Sequence, residues 1–348
     1  MGSPAARVTK LTQAPEQFLR DSRSLALRWL GSAATRAIRG RQWAPDWAHE
    51  IMTVAEGTAS LQGLVDLRAK RAAARRHRTI ERAGRPLVSV IMAARDAEET
   101  IEDAVRSLLT QTYSRLEIFV IDDASDDDTV ARIEGIGDDR IRLVRSARAG
   151  GAARARNTGL ASARGDFITF HDADDIAHAE RIERQLAALL DNPDARVCVC
   201  NGRRVDRAGR AVAINGRVDG KALISMMFPR RVLVDLGYFL PFPVGEDSEY
   251  FERIKVVYGP RTELRLYTPL YFAGFHPGSL LFSHGETEIE APGEVRHQRS
   301  PEAERCRERA RNFHARIRRG EDSAFVGFPA LKPGRALPPA ARALRKAG

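Results

Sequence analysis

The sequence predicts an α/β protein built on a mainly parallel sheet, and three observations predict it. The run Val88-Ser89-Val90-Ile91-Met92-Ala93 is almost continuously apolar, as a strand buried on both faces must be. Runs of this kind alternate with segments of helical periodicity, which is the pattern of strand, crossover helix and parallel strand. The apolar runs also end in polar groups: Ala94-Arg95-Asp96, Asp122-Asp123 and Asp172 to Asp174. In such sheets ligands bind outside the carboxyl ends of the strands, so distant residues are expected to meet on one edge.

Each element follows in order. Residues 1–84 are Ala/Arg-rich without strand alternation and read as a helical N-terminal extension. Phe18, Leu25, Trp29 and Ile38 can form an apolar stripe there, most simply one that faces a core. Gly84-Arg85-Pro86 marks a boundary, and a domain over 85–285 follows. After the first strand, Asp96 with Glu99 forms a capping-box-like pair before a helix carrying Ile101, Val105 and Leu108. Leu116 to Ile121 is the second strand, after which Ser125 or Asp126 caps a short helix with Val130 and Ile133. Ile141 to Val144 is the third strand, Gly150 to Ala163 a loop running into a helix, and Asp166 to Phe170 the fourth strand. Ala177 to Leu190 is an amphipathic helix ended by Asp191-Asn192-Pro193. A strand at Val197 to Cys200, a turn at Asp206 to Gly209 and a helix at Arg230 to Leu236 are expected next. Gly245-Glu246-Asp247-Ser248-Glu249 opens a further helix with Tyr250, Phe251 and Ile254. Residues 286–348 read as a basic C-terminal extension, helical around Pro301 to Arg319 and Pro/Ala-rich beyond.

Composition excludes several classes. With 348 residues, 43% hydrophobic and 29% charged, the chain has the make-up of a globular protein. No apolar run reaches the ~20 residues that span a bilayer, and no apolar segment with a cleavage site begins the chain. Cys198, Cys200 and Cys306 make no disulfide framework, and the first two are expected as buried, inert thiols in a reducing compartment. The net charge of +10 is concentrated in Arg68 to Arg85 and after Arg296. Such runs are either solvated helix faces or attractors of anionic surfaces.

The acidic cluster carries the chemistry. Phe167-Ile168-Thr169-Phe170 delivers His171-Asp172-Ala173-Asp174-Asp175 at a strand end. Carboxylates this close repel one another unless a cation or donors lie between them. Hard oxygen ligands suit Mg²⁺ or Mn²⁺, usually shared with substrate phosphates. The plain alternative is an acidic loop with a helix cap at its end, a role that suits Asp175.

Four segments in this order resemble family 2 glycosyltransferases over roughly residues 87–285: Val88–Asp96, Ile121–Asp126, Gly150-Gly151 through Ala155-Arg156-Asn157-Thr158-Gly159, and Phe170–Asp175. The resemblance implies the GT-A fold, a Rossmann-like mainly parallel sheet flanked by helices, and an inverting transferase using a nucleotide-sugar donor. By resemblance, Ala94, Arg95 and Asp96 stand at the nucleobase and ribose. Many members carry Pro-Thr-Tyr-Asn where this chain has Ala93-Ala94-Arg95-Asp96. Asp122 and Asp123 match the acidic pair that receives the base. Arg156 either steers diphosphate or pairs with Asp122 or Asp123. Asp172 is assigned to ribose or metal, Asp174 to the metal, and His276 to the metal or the phosphate. Asp247 is assigned as general base, with Glu246 and Glu249 as competitors and a helix N-cap as its plain alternative. The implied cofactor is Mg²⁺ or Mn²⁺. The implied partners are a nucleotide sugar, a UDP-sugar first, and a glycan or glycolipid acceptor in surface polysaccharide synthesis, with no nucleic acid. The implied place is the cytoplasm, with the basic flanks available for peripheral contact with the inner membrane face. The rival readings are a phosphatase or nucleotidyltransferase and a non-catalytic scaffold. An aspartyl phosphatase would carry its Asp-x-Asp after the first strand rather than the fourth, and no P-loop is present.

Overall fold

The computed structural model describes residues 61–276 and 285–328, with side chains from residue 69. The Phe18–Ile38 stripe and the Pro/Ala-rich tail lie outside the described residues. The chain divides into two compact units, residues 1–75 and 76–348. Helix α1 (Leu61–Arg82) runs across that division. In the second unit, Arg76 bonds Glu183 at 2.9 Å and Ile80, 3% exposed, enters the core. Four strands form the parallel half: β1 (Val88–Ala94), β2 (Leu116–Asp122), β3 (Ile141–Arg145) and β4 (Phe167–Asp172), in the order β3-β2-β1-β4. Every residue of β2 is buried, and all but Ala93 of β1 are, which is why those segments read as apolar runs.

Helices cover both faces. On one side α2 (Ile101–Leu109) and α5 (Arg181–Asp191) pack Ile101, Val105, Leu108, Ile182 and Leu186 against Val88, Val90 and Met92. On the other lie α4 (Ala152–Ser162), α6 (Arg230–Leu236) and α7 (Glu246–Tyr258). A Cβ at Gly159 of α4 would stand 2.6 Å from Ile91 Cγ2, so a glycine there lets the helix lie close on β1. The remaining helix of this half, α3 (Thr129–Ile136), adds Ile133 to the first core.

Beyond β4 the sheet changes direction. β6 (Val197–Val205), β7 (Ala211–Ile214) and β8 (Asp219–Pro229) are joined antiparallel, and β8 returns antiparallel to β4. β9 (Glu263–Gly274) runs parallel to β6 and pairs the short β5 (Ile176–Ala177). A hairpin of β10 (Gly285–Ala291) and β11 (Glu294–Arg299) joins through β11 to β7. Helix α8 (Pro301–Arg318), with Ser300 accepting the Ala303 N–H as N-cap, then packs on α7. Val326 exchanges backbone bonds with the Leu236–Tyr238 segment, its N–H donating to Leu236 and its carbonyl accepting from Tyr238.

Two capping expectations are corrected. Helix α2 begins at Ile101 behind Thr100, and α3 begins at Thr129 behind Asp128, neither with a side-chain cap. Asp96 and Ser125 instead brace two loops against each other. The Asp96 N–H donates to Ser125 Oγ at 3.0 Å, and the Asp126 N–H donates to Asp96 at 2.9 Å. Glu98 and Asp127 accept the next N–H groups in the same crossed fashion. The loops after β1 and β2 are adjacent because their strands are, so carboxylates that sequence spacing offers to their own helices serve the neighbouring loop.

Candidate functional site

A cleft of about 1170 Å³ opens along the carboxyl ends of the parallel strands. Ala94, Arg95 and Asp96 reach it from β1, Asp123 from β2, Arg156 from α4, Asp172 and Asp174 from β4, Asp247 from α7, and His276 from the end of β9. Of the residues assigned from sequence, Asp122 alone does not line it. That side chain is 3% exposed and accepts the Ser125 N–H at 3.2 Å, shaping its own turn.

Asp123 is buried as well, yet it sits at the cleft wall. Its carboxylate accepts the Gly150 N–H at 2.9 Å and the Gly151 N–H at 2.7 Å. It thereby ties the β2 loop to the start of α4, where Gly151 has φ 82°, a conformation that favours glycine. Ala94 is buried, while Arg95 and Asp96 are exposed and 3.4 Å apart.

Arg156 is the hub. It is 3% exposed, and its guanidinium bonds Asp172 at 2.6 Å through Nη2 and Glu246 through Nη1. Burial disfavours its charge, but Asp172 and Glu246 outweigh that and hold it protonated above its ordinary range. Its pairing with Asp122 or Asp123 is therefore corrected: α4 points the side chain toward the β4 and α7 ends instead. The same contact accounts for Glu246, which is 6% exposed and engaged. Glu249, 2% exposed, bonds Arg253 and His314 and faces α8. Neither glutamate lines the cleft, and Asp247 does.

Asp247 sits in the first turn of α7, behind Gly245, whose φ of 78° makes it the left-handed N-cap. The capping alternative for Asp247 is thus excluded, and its carboxylate accepts the Ser248 N–H at 2.6 Å and the Ser248 hydroxyl at 3.3 Å. Burial first, and then the charge of Glu246, push its carboxyl up to about 6, against the pull of Arg156. A carboxylate with that affinity takes a proton near neutral pH while remaining mostly ionised.

At the other side of the cleft, Asp174 Oδ2 lies 3.1 Å from His276 Nε2. Burial and the Asp172 charge raise the Asp174 carboxyl, with His276 opposing. Asp175 does not cap a helix, since α5 starts at Arg181. It is 5% exposed, accepts the Gly274 N–H at 2.8 Å, and is pushed well up by burial and by Asp174. Gly274 is required there, because a Cβ would stand 2.6 Å from the Asp174 carbonyl oxygen. Tyr271, buried, accepts the Asp172 N–H at 3.1 Å and so holds the end of β4. Tyr271 was not singled out from sequence, and Glu246 was named there only as a competitor for the base, not as the partner of Arg156. Tyr271 belongs to an unread strand, and Glu246 is separated from Arg156 by ninety residues.

These donors can be tested for a divalent cation. Among the described residues no three His, Cys, Asp or Glu side chains gather around one point. Asp174 and His276 form a close pair, and Asp172 adds a second carboxylate that raises the Asp174 carboxyl. That repulsion is what a cation relieves. The set fits a Mg²⁺- or Mn²⁺-type ion that takes one or two side chains and completes its shell from phosphate and water.

Part of the chain is similar to known proteins. The model of "Glycosyl transferase family 2" matches residues 89–232. The UDP-Glc:alpha-D-GlcNAc-diphosphoundecaprenol beta-1,3-glucosyltransferase WfgD of Escherichia coli is 45% identical over 106 residues, 30% of this chain and 42% of that one. The succinoglycan biosynthesis protein ExoO of Rhizobium meliloti is 33% identical over 168 residues, 48% of each chain. The chain spans less than half the length of each of these relatives. Among solved structures, S. aureus TarS in complex with UDP-GlcNAc is 22% identical, with a TM-score of 0.47 over 56% of this chain and 60% of that one. Through residues 89–232, this chain is similar to glycosyl transferase family 2.

Proposed function

We propose that this protein is a metal-dependent, inverting glycosyltransferase that moves a sugar from a nucleotide-diphosphate donor to an acceptor hydroxyl in surface-glycan synthesis. A UDP-sugar is the first donor to test, and a glycan or glycolipid the acceptor. The observation that carries the reading is that Asp247 and the Asp174–His276 pair, from different elements of the fold, line one cleft. The relatives' names add support, since WfgD is described as using UDP-Glc and a diphosphoundecaprenol-linked acceptor and ExoO as serving succinoglycan synthesis.

In this reading Asp174, with Asp172 and His276, would hold the ion, whose role when bound is to neutralise charge on the departing diphosphate. Ala94, Arg95, Asp96 and Asp123 form the nucleoside end of the cleft. Asp247 takes the acceptor proton while the acceptor oxygen attacks the anomeric carbon in line, and configuration inverts without a covalent intermediate. Arg156 touches no reacting atom. It neutralises Glu246 and fixes Asp172, so that Asp247 is the carboxylate left open to the acceptor.

The test is a thermal-shift panel of UDP, GDP and dTDP, each with and without Mn²⁺. A ligand that binds only the folded state raises the melting temperature. Stabilisation by one nucleotide that needs Mn²⁺ and is lost in Asp174→Ala is the expected result. No shift with any nucleotide would move the protein to the non-catalytic scaffold reading.

A further inference from the structure

The cleft has a second lobe that the donor and the base do not use. Its wall is the antiparallel part of the sheet, and its charge is opposite to that of the acidic end. Arg203, Arg204, Arg217, Lys221 and Arg299 line it, with Asp219 as the carboxylate among them. Asp219 is already taken by Arg203 at 2.8 Å, and Lys221 by Glu263. Arg204 and Arg217 make no ion pair or side-chain hydrogen bond among the described residues, and Arg299 pairs with Glu304 at 3.9 Å. Arg204 and Arg217 thus line the lobe without an anionic partner among the described residues, and Arg299 adds a guanidinium only loosely paired with Glu304.

The lobe is built, and its position is fixed by backbone. Asn215, at the turn between β7 and β8, has φ 51°. Its side-chain amide clamps β11: Nδ2 donates to the His297 carbonyl at 3.0 Å and Oδ1 accepts the His297 N–H at 2.9 Å. The Asn215 N–H also donates to the Val295 carbonyl at 2.8 Å. Arg217, two residues on, pairs back to Ile214 and lines the same cleft as Arg299 of β11. Arg204 stands in register with Ala273 of β9, one residue before Gly274, which packs on Asp174. A single strand pair therefore joins the basic lobe to the end of the cleft where Asp174 and His276 lie. Burial and the charges of Arg204 and Arg299 hold the His297 imidazole below its usual range, as expected where positive charge accumulates uncompensated. Exposed Val218 and half-buried Leu223 and Ile224 give the same lobe an apolar floor.

We infer that this lobe binds a phosphate or diphosphate carried by the acceptor, with Arg204, Arg217 and Arg299 as its ligands. Guanidinium groups are the side chains best matched to phosphate oxygens, through paired N–H donors. Once the donor diphosphate and its ion occupy the acidic end, a second phosphate finds complementary charge only at the basic lobe. The apolar floor suits the first carbons of a lipid attached to that phosphate. The inference rests on the proposed transferase reading for the word acceptor, but the anion site can be tested separately from it.

The test measures binding of farnesyl diphosphate and of farnesol to the full chain in detergent micelles by calorimetry, with and without UDP and Mn²⁺. The proteins are the wild type, the Arg204→Ala/Arg217→Ala/Arg299→Ala variant, and the same three positions changed to Lys. The wild type is expected to bind farnesyl diphosphate at least tenfold more tightly than farnesol. The Ala variant is expected to lose at least tenfold, and the Lys variant to keep part of the affinity because its charge remains. The UDP-dependent thermal shift is expected to be unchanged in both variants, which also reports that they fold. Equal affinity for the two probes, or equal affinity of wild type and Ala variant, would overturn the inference. A matching loss of UDP binding would overturn it too, by assigning these arginines to the donor. Phosphatidylglycerol vesicles, with phosphatidylcholine vesicles as control, form the last arm. Binding to the anionic vesicles as strong as to farnesyl diphosphate, lost in the same variant, would make the lobe a membrane contact instead. If no nucleotide shifts the protein while farnesyl diphosphate still binds, the donor reading fails and the anion site stands.

Discussion

Asp247 carries the sharpest predictions at the scale of single residues. Its carboxyl is pushed up to about 6, so kcat/KM is expected to fall as pH drops through that value, with one proton taken up. Asp247→Asn should lower turnover by about 10²- to 10⁴-fold while nucleotide stabilisation is kept. The same substitution should not weaken the fold at pH 7 to 8. A carboxyl whose native pKa is raised favours the folded state below its unfolded value, near 4, and that contribution is lost as pH rises through about 6. Asp247→Asn removes the ionised form, so its melting temperature at neutral pH should equal or exceed that of the wild type. Arg156 is the contrasting case. Arg156→Met would leave Glu246 buried and Asp172 partly buried without their counter-charge. Removing one partner of such a pair costs about 3–5 kcal/mol, and the lower end applies here because Asp172 keeps 27% exposure. Urea unfolding of the variant would check this, and an unchanged midpoint would remove Arg156 from its place as the hub.

At the scale of elements, close packing and one buried ion group decide what can change. Gly159→Ala would press a methyl into Ile91 at the α4–β1 contact, and overpacking of that kind costs about 1–3 kcal/mol. Helices α7 and α8 are joined by Glu249, which bonds Arg253 within α7 and His314 Nε2 at 3.0 Å from α8. Glu249→Ala would leave the fully buried Arg253 without its carboxylate, a loss of about 3–5 kcal/mol by the rule for broken buried pairs. Arg253 also donates to the Leu236, Tyr238 and Ala324 carbonyls, so the damage should spread to the segment that returns to α6. Hydrogen exchange in residues 236–238 and 324–326 would report it. These contacts also explain why α7, which presents Asp247, is held firmly although it is remote in sequence from the parallel strands.

For the whole molecule, the cleft is the meeting of two half-sheets with different directions. The parallel half brings Ala94, Asp123, Arg156, Asp172 and Asp174 to one edge, and the antiparallel half supplies the basic wall. Activity under this reading should be abolished by excess chelator and restored by Mn²⁺ or Mg²⁺, with Asp174→Ala insensitive to either. Full transfer in chelator would remove the metal from the proposal while leaving Asp247 in place. Among the described residues no helix is long and apolar enough to cross a membrane.

The sequence by itself determined the parallel half. A strand buried on both faces must be apolar throughout, and its crossover helix must repeat at helical spacing, so β1, β2, β4, α2 and α5 are visible as patterns. It also determined which acidic residues end the strands, because the carboxyl ends of parallel strands share one edge. The tertiary structure decided the rest. Strands β7, β9, β10 and β11 are short, half-exposed or polar, and no local pattern separates them from loops. The partners of charged groups were equally hidden, since Arg156 and Glu246 meet only when α4 and α7 pack on the same face of the sheet. For the same reason Asp96, Ser125 and Asp175 looked like helix caps: spacing along the chain shows the nearest helix, whereas the fold offers each of them a closer backbone N–H or a neighbouring loop. Periodicity records burial, which each element carries in its own residues. Pairing records distance in space, which only the assembled sheet can set.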